Sequence, residues 1–178
     1  MSRRSHVDED FTAFVAAASP RLHRKAWLLT TSAPAAEDLV QTALAKAYVH
    51  WRRVAAADDP TAYVSGIVLK TFLSDRRRRS SGEVPVAEVT DVGHADREGE
   101  PDDPALRLTL LTALRTLPPL DRAVVVLRYW EDRSVEETAS ALQLSPAAVK
   151  NRALRSLTTL RVELGELRAP LTSSEVSR

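Results

Sequence analysis

The residues best suited to chemistry in this sequence are three cations and an amide on one short stretch near the C-terminus. Lys150, Asn151, Arg152 and Arg155 follow the dipeptide Ser145-Pro146 at positions that a single helix would carry. Asparagine and arginine can hydrogen-bond to base edges in the major groove, and lysine and arginine also bind phosphates. These side chain types predict a DNA-binding face.

Two helices joined by a short turn are predicted to position that face. Ser134 is a suitable N-cap, and Glu137 three residues later completes a capping box. Gln143-Leu144 forms the turn, with Leu144 filling the corner, and Ser145 caps the second helix, where Pro146 takes the first position. The inward residues are Val135, Thr138, Ala139, Leu142, Val149, Ala153 and Leu157, and the outward ones also include Ala147 and Ala148. The pattern is that of a helix-turn-helix; the alternative is an ordinary helical hairpin with a basic exposed face.

The remaining polar residues form no catalytic or metal-binding pattern. The chain has no cysteine, and its four histidines are scattered at His6, His23, His50 and His94. No glycine-rich phosphate loop and no carboxylate–histidine set with metal-ligand spacing is present in the sequence. We therefore expect no enzyme, no metal and no cofactor.

The hydropathy pattern predicts a cytoplasmic protein. No apolar run approaches the roughly 20 residues of a membrane-spanning helix. Two arginines near the N-terminus are not followed by the apolar stretch of a signal peptide. We therefore expect no membrane partner.

Composition and periodicity predict an all-α protein with two small helical domains. Of 178 residues, 44% are hydrophobic and only 5 are glycine, which allows a buried core and favours helix. We assign residues 8–79 to the first domain, 80–104 to a flexible acidic linker, 105–167 to the helix-turn-helix domain and 168–178 to a disordered tail.

The first domain is predicted to contain three helices. The first carries Pro20, a potential kink. The second opens at Pro34, with Glu37 and Asp38 near its positive end. The third opens at Asp58-Asp59-Pro60. The predicted core residues are Phe11, Phe14, Val15, Leu22, Ala26, Leu29, Leu39, Val40, Ala43, Leu44, Ala47, Tyr48, Trp51, Tyr63, Val64, Ile67, Val68 and Phe72.

Charge is segregated along the chain, although the net charge is only +1. Arg76, Arg77, Arg78 and Arg79 form a basic run, and the segment 83–103 that follows is almost purely acidic. A protein with segregated charge can have a polyanion-binding surface even when its net charge is close to zero. The acidic segment also lacks hydrophobic periodicity, which is typical of a solvated linker.

Two separate stretches resemble bacterial sigma factors. Residues 114–139, LRTLPPLDRAVVVLRYWEDRSVEETA, are similar to sigma region four, and the helix-turn-helix continues them. Residues 36–41, AEDLVQ, are similar to the region-two signature of the extracytoplasmic-function (ECF) group, and residues 60–64 and 75–79 resemble the end of that region. The short length and missing middle domain also fit this group, in its SigE-like actinobacterial branch.

The resemblance implies that the helix carrying Asp38 and Gln41 binds core RNA polymerase. These residues are three apart and share one polar edge of a helix. The family usually has an acid after the glutamine, whereas this sequence has Thr42.

The resemblance also implies that the third helix melts and captures the minus-ten promoter element, a task suited to stacking and phosphate contacts. Lys70 and the run Arg76 to Arg79 are the DNA-binding residues carried over. Trp51, Tyr63 and Phe72 are either stacking residues or core. Five positions of this helix depart from the family. Lys70 replaces a frequent asparagine, Asp75-Arg76 replaces a tryptophan pair, and Ser65-Gly66 replaces residues that are commonly basic.

Region four would read the minus-thirty-five element through Lys150, Asn151, Arg152 and Arg155. The acidic linker resembles the segment that threads the RNA-exit path of polymerase. The implied partners are core RNA polymerase, promoter DNA and an anti-sigma factor. The alternative function is a stand-alone helix-turn-helix regulator that binds DNA as a dimer.

Overall fold

The structure, a computed structural model, describes residues 3–80 and 104–168. Within these ranges every regular element is helical, so the all-α prediction is confirmed. The chain divides into two compact units, Met1–Arg97 and Glu98–Arg178. Most of the predicted linker, residues 81–103, and most of the predicted tail, residues 169–178, lie outside the described residues.

The N-terminal unit contains four helices over its described residues. They are α1 (Arg3–Thr30), α2 (Ala33–Val49), α3 (Trp51–Ala55) and α4 (Pro60–Ser80). Three were predicted from the sequence; α3 has only 5 residues, too few to show a hydrophobic period. α1 continues through Pro20 and does not end there.

Capping interactions fix the starts of α2 and α4. The Ala35 N–H lies 3.5 Å from Ser32 Oγ, which makes Ser32 the N-cap, one residue before α2 begins at Ala33. The sequence had suggested a start at Pro34. At α4, the Ala62 N–H donates to Asp59 Oδ1 at 2.9 Å, so the predicted start at Pro60 is confirmed.

The core of the N-terminal unit is formed by apolar residues of all four helices. Leu22, Val40, Val54, Val64 and Val68 are fully buried. The predicted inward stripe of α4 is correct for Val64, Val68 and Phe72, which repeat every four residues and stay on one side of the helix.

Two tyrosines predicted to face this core are exposed. Tyr63 is 36% accessible, and Tyr48 is 42% accessible and donates its hydroxyl to Asp8 Oδ1 at 2.6 Å. Tyr63 lies about 100° around α4 from Val64, which takes it off the buried face. In contrast, Trp51 and Phe72 are buried, and Trp51 packs against Phe11 and Phe14 with ring centroids 5.1 and 5.0 Å away. Of the three aromatic residues weighed for base stacking, Tyr63 alone is exposed.

The C-terminal unit contains α5 (Pro104–Thr116), α6 (Pro119–Val125), a π-helical segment (Val126–Trp130), α7 (Val135–Leu142) and α8 (Pro146–Arg168). α7 and α8 are the two helices predicted for the helix-turn-helix, whereas the π-helical segment was not predicted. Arg122 joins α6 to the end of α5: its Nη2 donates to the carbonyls of Leu117 and Arg115 at 3.1 and 3.3 Å. These bonds satisfy carbonyls that a helix leaves free at its C-terminal end.

A buried hydroxyl on α8 gives a stability prediction for this unit. Ser156 is 1% accessible, and its Oγ has no hydrogen-bond partner among the described residues. Burying an unpaired hydroxyl is unfavourable, so Ser156→Ala is expected to raise the free energy of unfolding of this unit by about 1 kcal/mol. Amide hydrogen exchange of α8 in the full chain measures the change.

The matched control for Ser156 is Thr138, a fully buried residue whose Oγ1 donates to the Ser134 carbonyl at 2.8 Å. Thr138→Val removes a bonded hydroxyl and is expected to destabilise. If both substitutions lowered protection in α8, the assignment of Ser156 as an unpaired group would be wrong.

Candidate nucleic-acid interface

The predicted caps of the helix-turn-helix are present. Ser134 Oγ accepts from the Glu137 N–H at 3.1 Å, and Glu137 Oε2 accepts from the Ser134 N–H at 2.7 Å. Ser145 Oγ accepts from the Ala148 N–H at 3.1 Å at the start of α8. The start of each helix is therefore set by capping side chains that lie within three residues of the N–H groups they bind.

The turn between α7 and α8 is tight. Gln143 has φ 56°, a left-handed conformation that ends α7, and the Leu144 N–H donates to the Ala139 carbonyl at 2.9 Å. Ala139, Val149 and Ala153 are buried where the two helices pack together. Small side chains at this contact allow the close approach that a helix-turn-helix requires.

The pKa of Glu137 is lowered, chiefly by the hydrogen bond from the Ser134 backbone and then by that from its side chain. Because this pKa is lowered, the capping box stabilises α7 when Glu137 is ionised, and this stabilisation is lost as pH falls through the acidic range.

Ser134→Ala is expected to destabilise the C-terminal unit by about 1 kcal/mol near neutral pH, because it removes the N-cap of α7. Hydrogen exchange of α7 measures this loss.

Glu137→Gln is the control for the pH dependence, because an amide has no carboxylate to titrate. As pH falls below about 4.5, its α7 protection should change less than that of the unsubstituted protein. An identical pH dependence in both would contradict a role for this carboxylate.

Three of the four predicted region-four residues lie on an exposed face of α8. Lys150, Asn151 and Arg155 are exposed. Leu154 on the same face is 68% accessible and was not predicted to contact DNA. Its spacing, three residues after Asn151, was the available signal. An exposed apolar side chain between cations can contact a thymine methyl group in the major groove.

Arg152 differs from its predicted outward placement. Its Nη1 donates to Asp121 Oδ1 in an ion pair between α8 and α6, and the two side chains are 30% and 11% accessible. Position 152 lies about 60° around α8 from Val149, close enough to the buried face for its guanidinium to reach Asp121. Arg152 therefore links two helices of the unit.

In the N-terminal unit, Asp38 and Gln41 are exposed on α2, and Gln41 Nε2 lies 3.5 Å from Glu37 Oε1. Both line a groove of about 350 Å³ between α2 and α4. The groove residues are Thr30, Ala35, Asp38, Leu39, Gln41, Thr42, Phe72, Asp75 and Arg76. The structure thus brings the two predicted polymerase-binding residues together with Thr42 and Asp75-Arg76, where the sequence departs from the family pattern.

The basic residues of α4 differ in their exposure and in the side of the helix on which they lie. Lys70 is exposed two turns after Tyr63, whereas Arg76 is half-buried with its guanidinium carbon 5.8 Å from the centre of the Phe72 ring. Lys70 and Arg76 lie about 120° apart around the helix. Arg77 and Arg78 are exposed, and the side chain of Arg79 lies outside the described residues.

Residues 3–80 and 104–168 carry neither a metal-binding cluster nor a membrane-spanning helix. No group of three or more histidine or carboxylate side chains able to hold a metal ion is present among them. No helix in these ranges has the length and hydropathy needed to cross a membrane.

Comparison with known proteins matches each unit to a sigma-factor region. Residues 14–82 match the family described as "Sigma-70 region 2", and residues 107–160 match "Sigma-70, region 4". An RNA polymerase sigma-E factor of Streptomyces avermitilis is 37% identical over 155 residues, which cover 87% of this chain and 85% of that one. The protein belongs to the RNA polymerase sigma factors.

Other relatives of this sigma factor place it in the ECF group with a SigE-like sequence. The sigma-E factor of Streptomyces antibioticus is 40% identical over 72% of this chain and 70% of its own length. The ECF sigma factor SigL of Mycobacterium tuberculosis is 32% identical over 82% of this chain and 84% of its own. The sigma factor binds core RNA polymerase and directs it to promoters, as the family does.

The fold of this sigma factor has a counterpart among solved structures. The sigma factor RpoE of Bartonella quintana, solved with the anti-sigma factor NepR, aligns with a TM-score of 0.69. The alignment covers 88% of this chain and 98% of that one, at 24% sequence identity.

Proposed function

We propose that this sigma factor reads the minus-thirty-five element with the exposed face of α8. The observation that supports this role is the set Lys150, Asn151 and Arg155 on a capped helix, with Leu154 between them. Asn151 and Arg155 hydrogen-bond to base edges, Lys150 binds phosphate, and Leu154 contacts a thymine methyl group. Arg152, held by Asp121, contributes the outer part of its guanidinium to a phosphate contact.

The groove between α2 and α4 is the proposed polymerase-binding site. Asp38 supplies a carboxylate and Gln41 an amide at its rim, and Leu39 and Phe72 supply apolar surface. A partner helix with a cation next to apolar side chains would match both properties. Because Thr42 has no charge where the family usually has an acid, one polar contact to that helix is absent here.

The outward face of α4 is proposed to hold the unpaired minus-ten strand. Tyr63 is available for stacking on a base, and Lys70 for a phosphate. Arg77, Arg78 and Arg79 follow on the same helix and extend the positive charge toward its C-terminal end. The lysine at position 70 favours a phosphate contact, where an asparagine would favour a base.

The two regions correspond in this proposal to residues 8–79 and 105–167, joined by the acidic linker 80–104. The protein acts in the cytoplasm as an initiation factor without catalytic activity of its own. An anti-sigma factor that covers the groove or the α8 face would silence it.

Reconstitution tests the proposal against a dimeric regulator. The full chain is mixed with core polymerase, and the complex is isolated by gel filtration and added to promoter fragments. We expect one copy per polymerase and DNA binding that requires polymerase. Cooperative binding to a palindrome by the protein alone, with no polymerase complex, would support the dimeric regulator instead.

A further inference from the structure

Packing within the free protein does not require the glycine that lies in the interior of α4. Gly66 lies in the second turn of a helix that extends from Pro60 to Ser80. A Cβ built at Gly66 meets no atom within 4 Å. Glycine weakens a helix interior relative to alanine. Alanine would therefore fit here and stabilise the unbound sigma factor.

The neighbouring departure from the family pattern does have an internal role. Ser65 is buried, and its Oγ accepts a hydrogen bond of 2.8 Å from Nζ of Lys25, which is also buried. A long basic side chain at position 65 would compete with Lys25 for this space. Gly66 is different, because it faces open space and not the interior.

Gly66 is half-buried and lies on the outward side of α4, between an exposed aromatic ring and an exposed cation. Tyr63 precedes it by about 4.5 Å along the helix axis, and Lys70 follows it by about 6 Å. All three fall within about 60° around the helix, on the side opposite Val64 and Val68. Along this face the aromatic ring of Tyr63 comes first, then backbone without a side chain at Gly66, and then the ammonium group of Lys70.

We propose that the unpaired promoter strand lies directly against the α4 backbone at Gly66. A base stacks on Tyr63, the adjoining phosphate binds Lys70, and the absence of a Cβ at Gly66 lets the sugar between them approach the helix. This inference depends on the proposed minus-ten role of α4. It makes Gly66 a specificity-determining residue for single-stranded DNA.

The test compares Gly66→Ala with Gly165→Ala in the full chain assembled with core polymerase. Gly165 is the control, because it too is a helical glycine whose added Cβ meets no atom within 4 Å; it is exposed, whereas Gly66 is half-buried. Both variants should melt at or above the temperature of the unsubstituted protein. Permanganate reactivity of minus-ten thymines measures promoter opening, which should fall about tenfold in Gly66→Ala, as for loss of one stacked base, and stay unchanged in Gly165→Ala.

A third variant tests whether the DNA strand needs open space at position 66 or a positive charge there. Gly66→Arg adds a cation but also a bulky side chain, and it should open promoters less well than the unsubstituted protein. Improved opening by Gly66→Arg, or equal opening by the two alanine variants, would overturn the proposal. A drop in opening with a lowered melting temperature of Gly66→Ala would also overturn it.

Failure of the proposed function would look different from failure of this inference. Binding of core polymerase and protection of double-stranded minus-thirty-five DNA are measured in the same samples. If the unsubstituted protein failed these assays and opened no promoter, the minus-ten role itself would be wrong. If it passed them and the glycine variants behaved alike, only the inference about Gly66 would be wrong.

Discussion

Arg155→Ala is expected to weaken holoenzyme binding to the minus-thirty-five element by about tenfold to a hundredfold, the range for loss of one good base contact. Arg155 is exposed on α8. Its removal should therefore leave the stability of the C-terminal unit unchanged. Gel shifts on matched and mutated elements measure the effect, and discrimination between them should fall. If Arg155 binds a phosphate instead, all sequences should weaken alike and the salt slope should fall by about 0.9.

Arg152→Ala is compared with Arg155→Ala, because Arg152 forms an ion pair with Asp121. Its removal leaves the nearly buried Asp121 carboxylate without its partner, and we expect the C-terminal unit to lose about 1–3 kcal/mol, less than for a fully buried pair. Binding to all DNA sequences should weaken together with this loss of stability. An Arg152→Ala protein with normal stability and selectively altered base preference would show that the ion pair does not hold α8.

Asp38→Ala is expected to lower the affinity of the sigma factor for core polymerase by about tenfold or more, because it removes the carboxylate at the rim of the groove from a charged contact. Gln41→Ala should weaken binding less, since a neutral hydrogen bond is lost. Both residues are exposed, so neither change should destabilise the unbound N-terminal unit. Fluorescence titration of labelled protein with core polymerase measures the dissociation constants.

Asp10→Ala provides the charge-matched control for Asp38→Ala. Asp10 is an exposed acid on α1 and does not line the groove. Its affinity for polymerase should match that of the unsubstituted protein. Equal weakening by Asp10→Ala and Asp38→Ala would mean that net charge, and not the groove, determines binding.

Features set by neighbouring residues could be predicted from the sequence. The capping box of Ser134 and Glu137, the cap at Ser145 and the start of α4 at Pro60 each depend on side chains within three residues of the backbone they bond. The buried stripe of α4 repeats with the helix period. Helix caps and buried stripes of this kind depend on residue types at short, fixed spacings, which can be read from the sequence alone.

Features set by residues distant in the chain could not be predicted. Arg152 was placed on the outward face because its partner Asp121 lies 31 residues away. The groove joins Asp38 on α2 to Asp75 on α4, and only the packing of these helices brings them together. Tyr63 was placed in the core because its hydrophobicity suggested burial, while the exact edge of the buried face depends on the helices that cover α4.

Run-off transcription on genomic fragments measures whether this protein directs core RNA polymerase to specific promoters. We expect transcripts with discrete 5′ ends only when the protein is added, and shared sequence elements near minus ten and minus thirty-five upstream of those ends. A folded protein that binds neither core polymerase nor any fragment with it, and yields no new transcript, would contradict its role as a sigma factor.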